Sequence, residues 1–152
     1  MWNSLHQSFR SILVLIFCLF SSPLHAALDI EIFGGGASQI PISIIPFAAE
    51  ERLAQSVTAV VRSDLQRSGL FRMVDSVSSI PHEPSEIIYP DWQMRGVNAM
   101  VIGATRLLPN GQVEVRYRLM DIAKQEILIS DMETVSVKRL RAAAHRMADS
   151  IY

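Results

Sequence analysis

The sequence predicts an α/β protein, a two-layer sandwich in which two main helices pack on a mixed β-sheet of about five strands. Residues 49–68 and 137–152 carry apolar side chains at helical spacing, while several other segments alternate or run apolar as strands do. The turn at residues 109–111 (Pro-Asn-Gly) joins two of those segments as a hairpin. A length of 152 residues fits one domain, and a net charge of −1 does not favour nucleic-acid binding.

Residues 1–26 are predicted to be an export signal rather than part of this fold. A short polar segment with Arg10 precedes an unbroken apolar run over residues 12–20, and the small residue Ala26 marks the expected cleavage site. The run is shorter than the roughly 20 residues that span a membrane. We therefore expect cleavage after Ala26 and an exported chain without membrane insertion. The one cysteine of the sequence lies in this signal, which excludes disulfides from the remaining chain.

The segment after the signal is predicted to be a strand-forming arm, residues 27–33, followed by a glycine hinge, residues 34–36. Apolar and acidic side chains alternate along the arm, as they do in a strand with two different faces. Three consecutive glycines carry a large entropy cost of ordering, and their spacing does not match a phosphate-binding loop. The arm consists of Leu28, Asp29, Ile30, Glu31, Ile32 and Phe33, and the hinge of Gly34, Gly35 and Gly36. The domain proper is predicted to cover residues 37–152.

The first half of the domain is predicted to form a strand, a helix and a second strand. Residues 41–47 are rich in isoleucine and bounded by prolines, which favours a strand. A helix is predicted over residues 49–68, because Glu50 and Glu51 suit a helix N-terminus and Gly69 suits the position after its end. A short strand follows this glycine. The helical stripe that should face the core consists of Leu53, Val57, Val60, Val61 and Leu65.

The second half of the domain is predicted to form a three-strand meander and the last helix. Residues 98–106 are apolar almost throughout, as in a strand that is buried on both faces. Residues 112–121 alternate between apolar and polar, and a third strand is predicted over residues 126–135. Ser136 is expected to cap the last helix, and the proline-rich residues 75–96 are expected to be irregular apart from one helical turn. The core-facing stripe of the last helix consists of Leu140, Ala144, Met147 and Ile151.

No catalytic set, metal site or cofactor-binding loop is predicted from the motifs. The sequence has no Gly-x-Ser-x-Gly element, and His82 and His145 are the only histidines after the signal. No spaced carboxylates accompany these histidines as metal ligands, so both are interpreted as solvated surface residues.

Asp64 breaks the apolar pattern of the first helix. It falls within the stripe and close to the helix C-terminus, where the helix dipole disfavours an anion. A carboxylate in such a place needs partners, and the candidates are Arg67, Ser68 or backbone N–H groups past Gly69. Asp64 is interpreted as a structural polar anchor for the helix-to-strand turn, and a functional site is the alternative.

Five stretches, in their order and spacing, resemble the N-terminal domain of the TolB family of the Tol-Pal system: LDIEIF, PISIIPF, VVRSDLQRSGLF, DWQMRGVNAMVIGATR and VEVRYRLMDI. The resemblance covers nearly all of residues 27–152. In that family the domain is a small α/β unit that precedes a β-propeller. The propeller contacts the lipoprotein Pal, and the N-terminal segment binds the C-terminal domain of TolA. The system supports outer-membrane integrity and constriction at cell division.

The resemblance implies a non-enzymatic interaction module whose arm, residues 27–33, contacts TolA by strand addition. The alternative for the arm is a permanent edge strand of its own domain. A Pal contact is not carried over, because the chain stops at Tyr152 without a propeller, and a fragment and a shortened gene product both remain open. A small exported enzyme and a nucleic-acid-binding α/β module are the other classes considered, and the motifs and the charge favour neither.

Overall fold

The computed structural model describes residues 39–75 and 80–152, which form one mixed β-sheet with helices on both of its faces. The strands are β1 (Ile40–Ile44), β2 (Phe71–Met73), β3 (Ala99–Leu107), β4 (Gln112–Asp121) and β5 (Glu126–Ser136). The α-helices are α1 (Val57–Arg67), α2 (Tyr89–Met94) and α3 (Leu140–Ile151), and single 3₁₀ turns lie at Glu50–Arg52, Pro84–Glu86 and Val137–Arg139. The predicted α/β sandwich with a mixed five-stranded sheet is confirmed.

The strand order in the sheet is β2-β1-β3-β4-β5. β1 runs parallel to both of its neighbours, with Ile42 opposite Met73 on one side and opposite Ala99 on the other. β3, β4 and β5 form the antiparallel meander that the hairpin signal predicts, and Gly111 adopts the positive φ of 76° that the turn requires. Among the described strands, β2 and β5 are therefore the two outermost.

Hydrophobic clusters lie on both faces of the sheet. α1 and α3 cover one face, where their predicted stripes meet the side chains of Val101, Val115 and Tyr117. The short α2 covers part of the opposite face, where its buried Trp92 belongs to a cluster with Met100 and other apolar residues. β3 is buried on both faces because alternate residues of this strand enter alternate clusters, as the sequence predicts for a central strand.

The first helix is shorter than predicted, and it begins at Val57 rather than at residue 49. Ala49 has a left-handed backbone (φ 61°), and the 3₁₀ turn after it ends where Leu53 becomes extended. Ser56 then caps α1 by accepting a hydrogen bond from the Ala59 N–H at 3.1 Å. Leu53 is thus not helical, although its half-buried side chain still packs against the core.

Glu50 acts on this helix from outside it. Its carboxylate accepts a hydrogen bond from the Thr58 N–H at 3.0 Å and another from the Ser56 hydroxyl at 3.2 Å. The prediction that Glu50 lies in the first helical turn is therefore wrong, but the carboxylate still satisfies an N–H group at the helix N-terminus. Gly69, with φ 75°, follows α1 in the position predicted for it.

The last helix also starts later than predicted. Ser136 precedes the 3₁₀ turn Val137–Arg139, its side chain makes no capping hydrogen bond, and α3 begins at Leu140. The predicted cap is therefore wrong. The predicted stripe is confirmed, because all four of its residues are buried.

Candidate functional site

The predicted arm and hinge lie outside the described residues, as does the predicted signal. The described chain begins at Gln39, whose side-chain amide donates to the carbonyl of Gly69 at 2.9 Å, and Ile40 N–H donates to the carbonyl of Leu70 at 2.8 Å. These bonds hold the start of β1 beside β2. Because β1 has strands on both sides, a segment that precedes it can join this sheet only at the outer edge of β2 or of β5.

The two edges differ in length and in composition. β2 has three residues, whereas β5 has eleven. The side chains of Ile127, Leu128 and Met132 on β5 are 50, 53 and 58% exposed. β5 also carries three acidic residues and no basic residue. It is thus a long, partly apolar and acidic edge.

Asp64 lies near the end of α1 and contacts two cationic or polar partners. Its carboxylate pairs with the guanidinium of Arg67 on the same helix and with Nδ1 of His145 on α3. The Asp64 side chain is 17% exposed, and that of His145 is 40% exposed. Burial raises the pKa of Asp64, but hydrogen bonds and charges from His145 and Arg67 lower the pKa more, so that it lies below its ordinary value.

Arg67 was among the predicted partners of Asp64, and its contact is observed. His145 was not among the predicted partners. Ser68, another candidate, donates its hydroxyl to the carbonyl of Leu65 at 2.7 Å instead. The interpretation of His145 as a solvated surface residue overlooked its contact with Asp64. A signal was present, because His145 is next to Ala144 of the buried stripe and so lies at the margin of the buried helix face. The contact ties α1 to α3.

This cluster does not have the arrangement of a hydrolytic triad. A carboxylate beside an imidazole is two thirds of that arrangement, and Ser68 lines the same shallow cavity as Asp64. However, the Ser68 hydroxyl donates to Leu65 and accepts the Leu70 N–H at 3.3 Å, which is the bonding of a helix end. Because both hydrogen bonds of this hydroxyl are to main-chain atoms, the geometry favours a structural role for the cluster.

A second charged cluster fixes the loop before α2 to the sheet. The Glu83 carboxylate accepts a hydrogen bond from Arg118 at 2.7 Å and pairs with Arg116, and both arginines lie on β4. Glu86 accepts the backbone N–H groups of His82 at 2.7 Å and of Glu83 at 3.2 Å, and these two bonds lower the pKa of Glu86. His82, interpreted as a solvated loop residue, is half-buried in this structure. No pattern in the sequence indicates the cluster around Glu83.

Within residues 39–75 and 80–152, no group of three or more histidine, cysteine or acidic side chains is placed to hold a metal ion. In that part of the chain no helix combines the length and the apolar character needed to span a membrane.

Comparison with known proteins gives a consistent result. A profile of the family described as "TolB amino-terminal domain" matches residues 28–128. The Tol-Pal system protein TolB of Nitrosospira multiformis is 55% identical over 135 residues, which are 88% of this chain and 31% of that protein. The Tol-Pal system protein TolB of Nitrosomonas europaea is 48% identical over 139 residues, which are 91% of this chain and 33% of that protein.

A solved structure agrees with these relatives. The crystal structure of TolB from Acinetobacter baumannii matches with a TM-score of 0.63 and 31% identity, over 75% of this chain and 27% of that chain. The chain spans about a third of the length of the curated relatives it matches. The likeness therefore concerns one part of those longer proteins.

Proposed function

The chain belongs to the TolB amino-terminal domain family, and from this membership we propose that it is a non-enzymatic protein–protein interaction module of the Tol-Pal envelope system. On this proposal residues 1–26 are removed on export, and the module works in the periplasm in support of outer-membrane integrity and cell division. The single observation that carries the proposal is the family match, which begins at Leu28 and so includes the predicted arm.

We propose that the arm, residues 27–33, binds the C-terminal domain of TolA by adding a strand to its sheet. In that mode main-chain hydrogen bonds supply affinity, while alternate side chains enter pockets of the partner. The arm has three apolar residues at alternate positions for this purpose: Leu28, Ile30 and Ile32. The acidic residues between them would face the other side of the added strand.

The sheet geometry supports a partner over a place in the arm's own domain. Only six residues, 34–39, separate Phe33 from Ile40 in β1, and the seven Cα-to-Cα steps between them span about 24 Å when fully extended. With strands about 4.8 Å apart, the outer side of β5 lies about 19 Å from β1, so reaching it needs most of the linker's extended length. The outer side of β2 is nearer, but β2 offers only three residues for pairing.

The Pal contact of the family is not part of this proposal. In that family it belongs to the propeller, and the chain spans about a third of the relatives that it matches. The proposal is thus confined to what the α/β domain and its arm provide.

Deletion of residues 27–33 tests the arm. Titration calorimetry with the TolA C-terminal domain should show binding by the chain from Ala27 to Tyr152 and no binding by the deletion variant. The thermal midpoint should hardly change, because both hydrophobic clusters lie after residue 39.

Two substitutions at Ile30 distinguish the contribution of main-chain hydrogen bonds to TolA binding from that of the side chain. Ile30→Pro removes a main-chain donor and should weaken TolA binding, whereas Ile30→Val keeps the donor and a β-branched side chain and should preserve it. Unchanged affinity in the deletion variant would overturn the proposed role of the arm.

A further inference from the structure

No described strand pairs with the outer edge of β5, where main-chain N–H groups recur at every second residue. The Met132 N–H points away from β4, because it donates to the Oδ1 atom of the neighbouring Asp131 at 2.8 Å. Along an antiparallel strand the direction of the N–H groups alternates, so Ser130 and Thr134 present their donors on the same side. The edge thus offers three donors in a row, and the Asp131 carboxylate occupies the middle one.

The side chains around this edge are partly apolar. Ile127, Leu128 and Met132 are each at least half exposed, although they are large hydrophobic residues. Exposed apolar side chains beside unpaired main-chain groups are the features of a strand that pairs with another chain. An added strand would cover these side chains and continue the sheet order beyond β5.

The charged side chains on and beside β5 indicate which kind of strand could pair with this edge. Three nearby cations are paired: Arg146 with Glu133, and Arg116 and Arg118 with Glu83. Arg139 lines a cavity beside the last residues of β5, 133–136. On β5 itself, Glu126 and Asp131 are acidic, and neither forms an ion pair with another described residue. The unpaired charge that β5 itself carries is therefore negative.

This charge disfavours the two strands that the chain itself could supply. A second copy of β5 would bring two acidic strands side by side, and like charges opposite each other destabilise strand pairing. The arm, residues 27–33, is also acidic because it carries Asp29 and Glu31. A strand with Lys or Arg at alternate positions would instead place cations beside Glu126 and Asp131.

We propose that the β5 edge is a second interaction surface, which accepts an extended, basic segment of a partner protein as an added strand. Asp131 determines the specificity of this surface. While the edge is free, the Asp131 carboxylate covers the Met132 N–H and so protects the middle of the edge. A cation of the incoming strand draws this carboxylate away and releases the N–H group for main-chain pairing.

Two synthetic peptides test the proposal with the chain from Ala27 to Tyr152. One alternates Lys with Val, and the other has Glu in place of Lys. Fluorescence anisotropy should detect binding of the lysine peptide and none of the glutamate peptide. Amide hydrogen exchange at Ser130 and Thr134 should slow when the lysine peptide is present, since their N–H groups become paired.

Substitutions on the edge sharpen this test. Asp131→Lys should weaken binding of the lysine peptide by about tenfold or more and should allow the glutamate peptide to bind. Thr134→Pro removes an outward donor without removing a bond to β4, so it should block binding of the lysine peptide while the fold persists. Glu51→Lys makes the same kind of charge change at an exposed position away from β5, and should bind the lysine peptide normally.

Three results would overturn the proposal. They are equal binding of both peptides, unchanged exchange at Ser130 and Thr134, and concentration-dependent dimers in sedimentation that Thr134→Pro abolishes, because such dimers would identify a second copy as the occupant. The exchange measurement uses the unsubstituted chain and so does not depend on the folding of a variant. Deletion of the arm should leave peptide binding unchanged, which separates this test from that of the TolA contact.

Discussion

The carboxylate of Asp64 on α1 contacts Nδ1 of His145 on α3, although the two residues are 81 positions apart in the chain. The two helices lie side by side on one face of the sheet, and this pair is a polar link between them at the margin of an apolar interface. We propose that Asp64 is a structural anchor, and that the anchor joins two helices rather than only securing the turn after α1.

The lowered pKa of Asp64 predicts a loss of stability in acid. A carboxyl group whose pKa is lower in the folded state than its ordinary value of 3.8 stabilises the fold above that value. This stability is lost as the pH falls through 3.8 toward the folded-state pKa. Denaturant unfolding of the unsubstituted chain should therefore show a free energy that falls more steeply below about pH 4 than that of Asp64→Asn.

At neutral pH, Asp64→Asn should lower the free energy of unfolding by about 1 kcal/mol, because a partly exposed ion pair becomes a neutral contact. Arg67→Gln is the control that removes the partner on the same helix and retains His145. If Asp64→Asn leaves the thermal midpoint unchanged but alters binding to a partner protein, Asp64 is a functional residue and the anchor is wrong.

Gly103→Ala should destabilise the fold by about 2 kcal/mol, measured by thermal or urea unfolding. A Cβ atom at this position of β3 would clash with Cε1 of Phe47 and would lie 2.6 Å from the carbonyl oxygen of Arg116. The β4 backbone cannot yield as a flexible side chain would. The double variant with Phe47→Leu should lose less stability than the sum of the losses of the two single variants, because Phe47→Leu removes one of the two clashes. Additive losses would contradict this packing explanation.

Glu50→Ala should lower the free energy of unfolding by about 1 kcal/mol, as the removal of other helix N-terminal caps does. The substitution leaves the Thr58 N–H at the start of α1 without its carboxylate partner. Glu51→Ala is the matched control, because the neighbouring Glu51 side chain is exposed and has only a long 3.9 Å contact with Arg52. Equal effects of the two substitutions would show that Glu50 does not cap α1.

Glu83→Gln should release the loop before α2 from the sheet. The carboxylate holds Arg116 and Arg118 of β4, and a neutral amide would lose the charge of both contacts. We expect faster amide exchange over residues 82–88 and a small change in the thermal midpoint, because the apolar clusters are untouched. Asp91→Asn, at an exposed position of α2, is the control. Exchange that is no faster than in the control would show that Glu83 does not hold the loop.

The spacing of apolar residues predicted those elements whose bounds depend mainly on their own sequence. The alternation along β4 and the apolar run of β3 placed those strands within a residue or so of their observed bounds. Gly69 and Gly111 have the positive φ values for which glycine is favoured, so their positions were readable as well. The start of α1 was not predicted, because it depends on the bonds that Glu50 and Ser56 make to Thr58 and Ala59.

Local spacing or a linear series of residues was enough to predict the α/β class, the strand meander, the two apolar helical stripes and the likeness to the TolB family. Which residues meet across elements could be seen only in the folded chain. In the folded chain His145 contacts Asp64, and Glu83 contacts two arginines of β4. β5 lies at one end of the described strand order. These contacts depend on how helices and strands pack, and packing brings together residues that no short-range pattern connects.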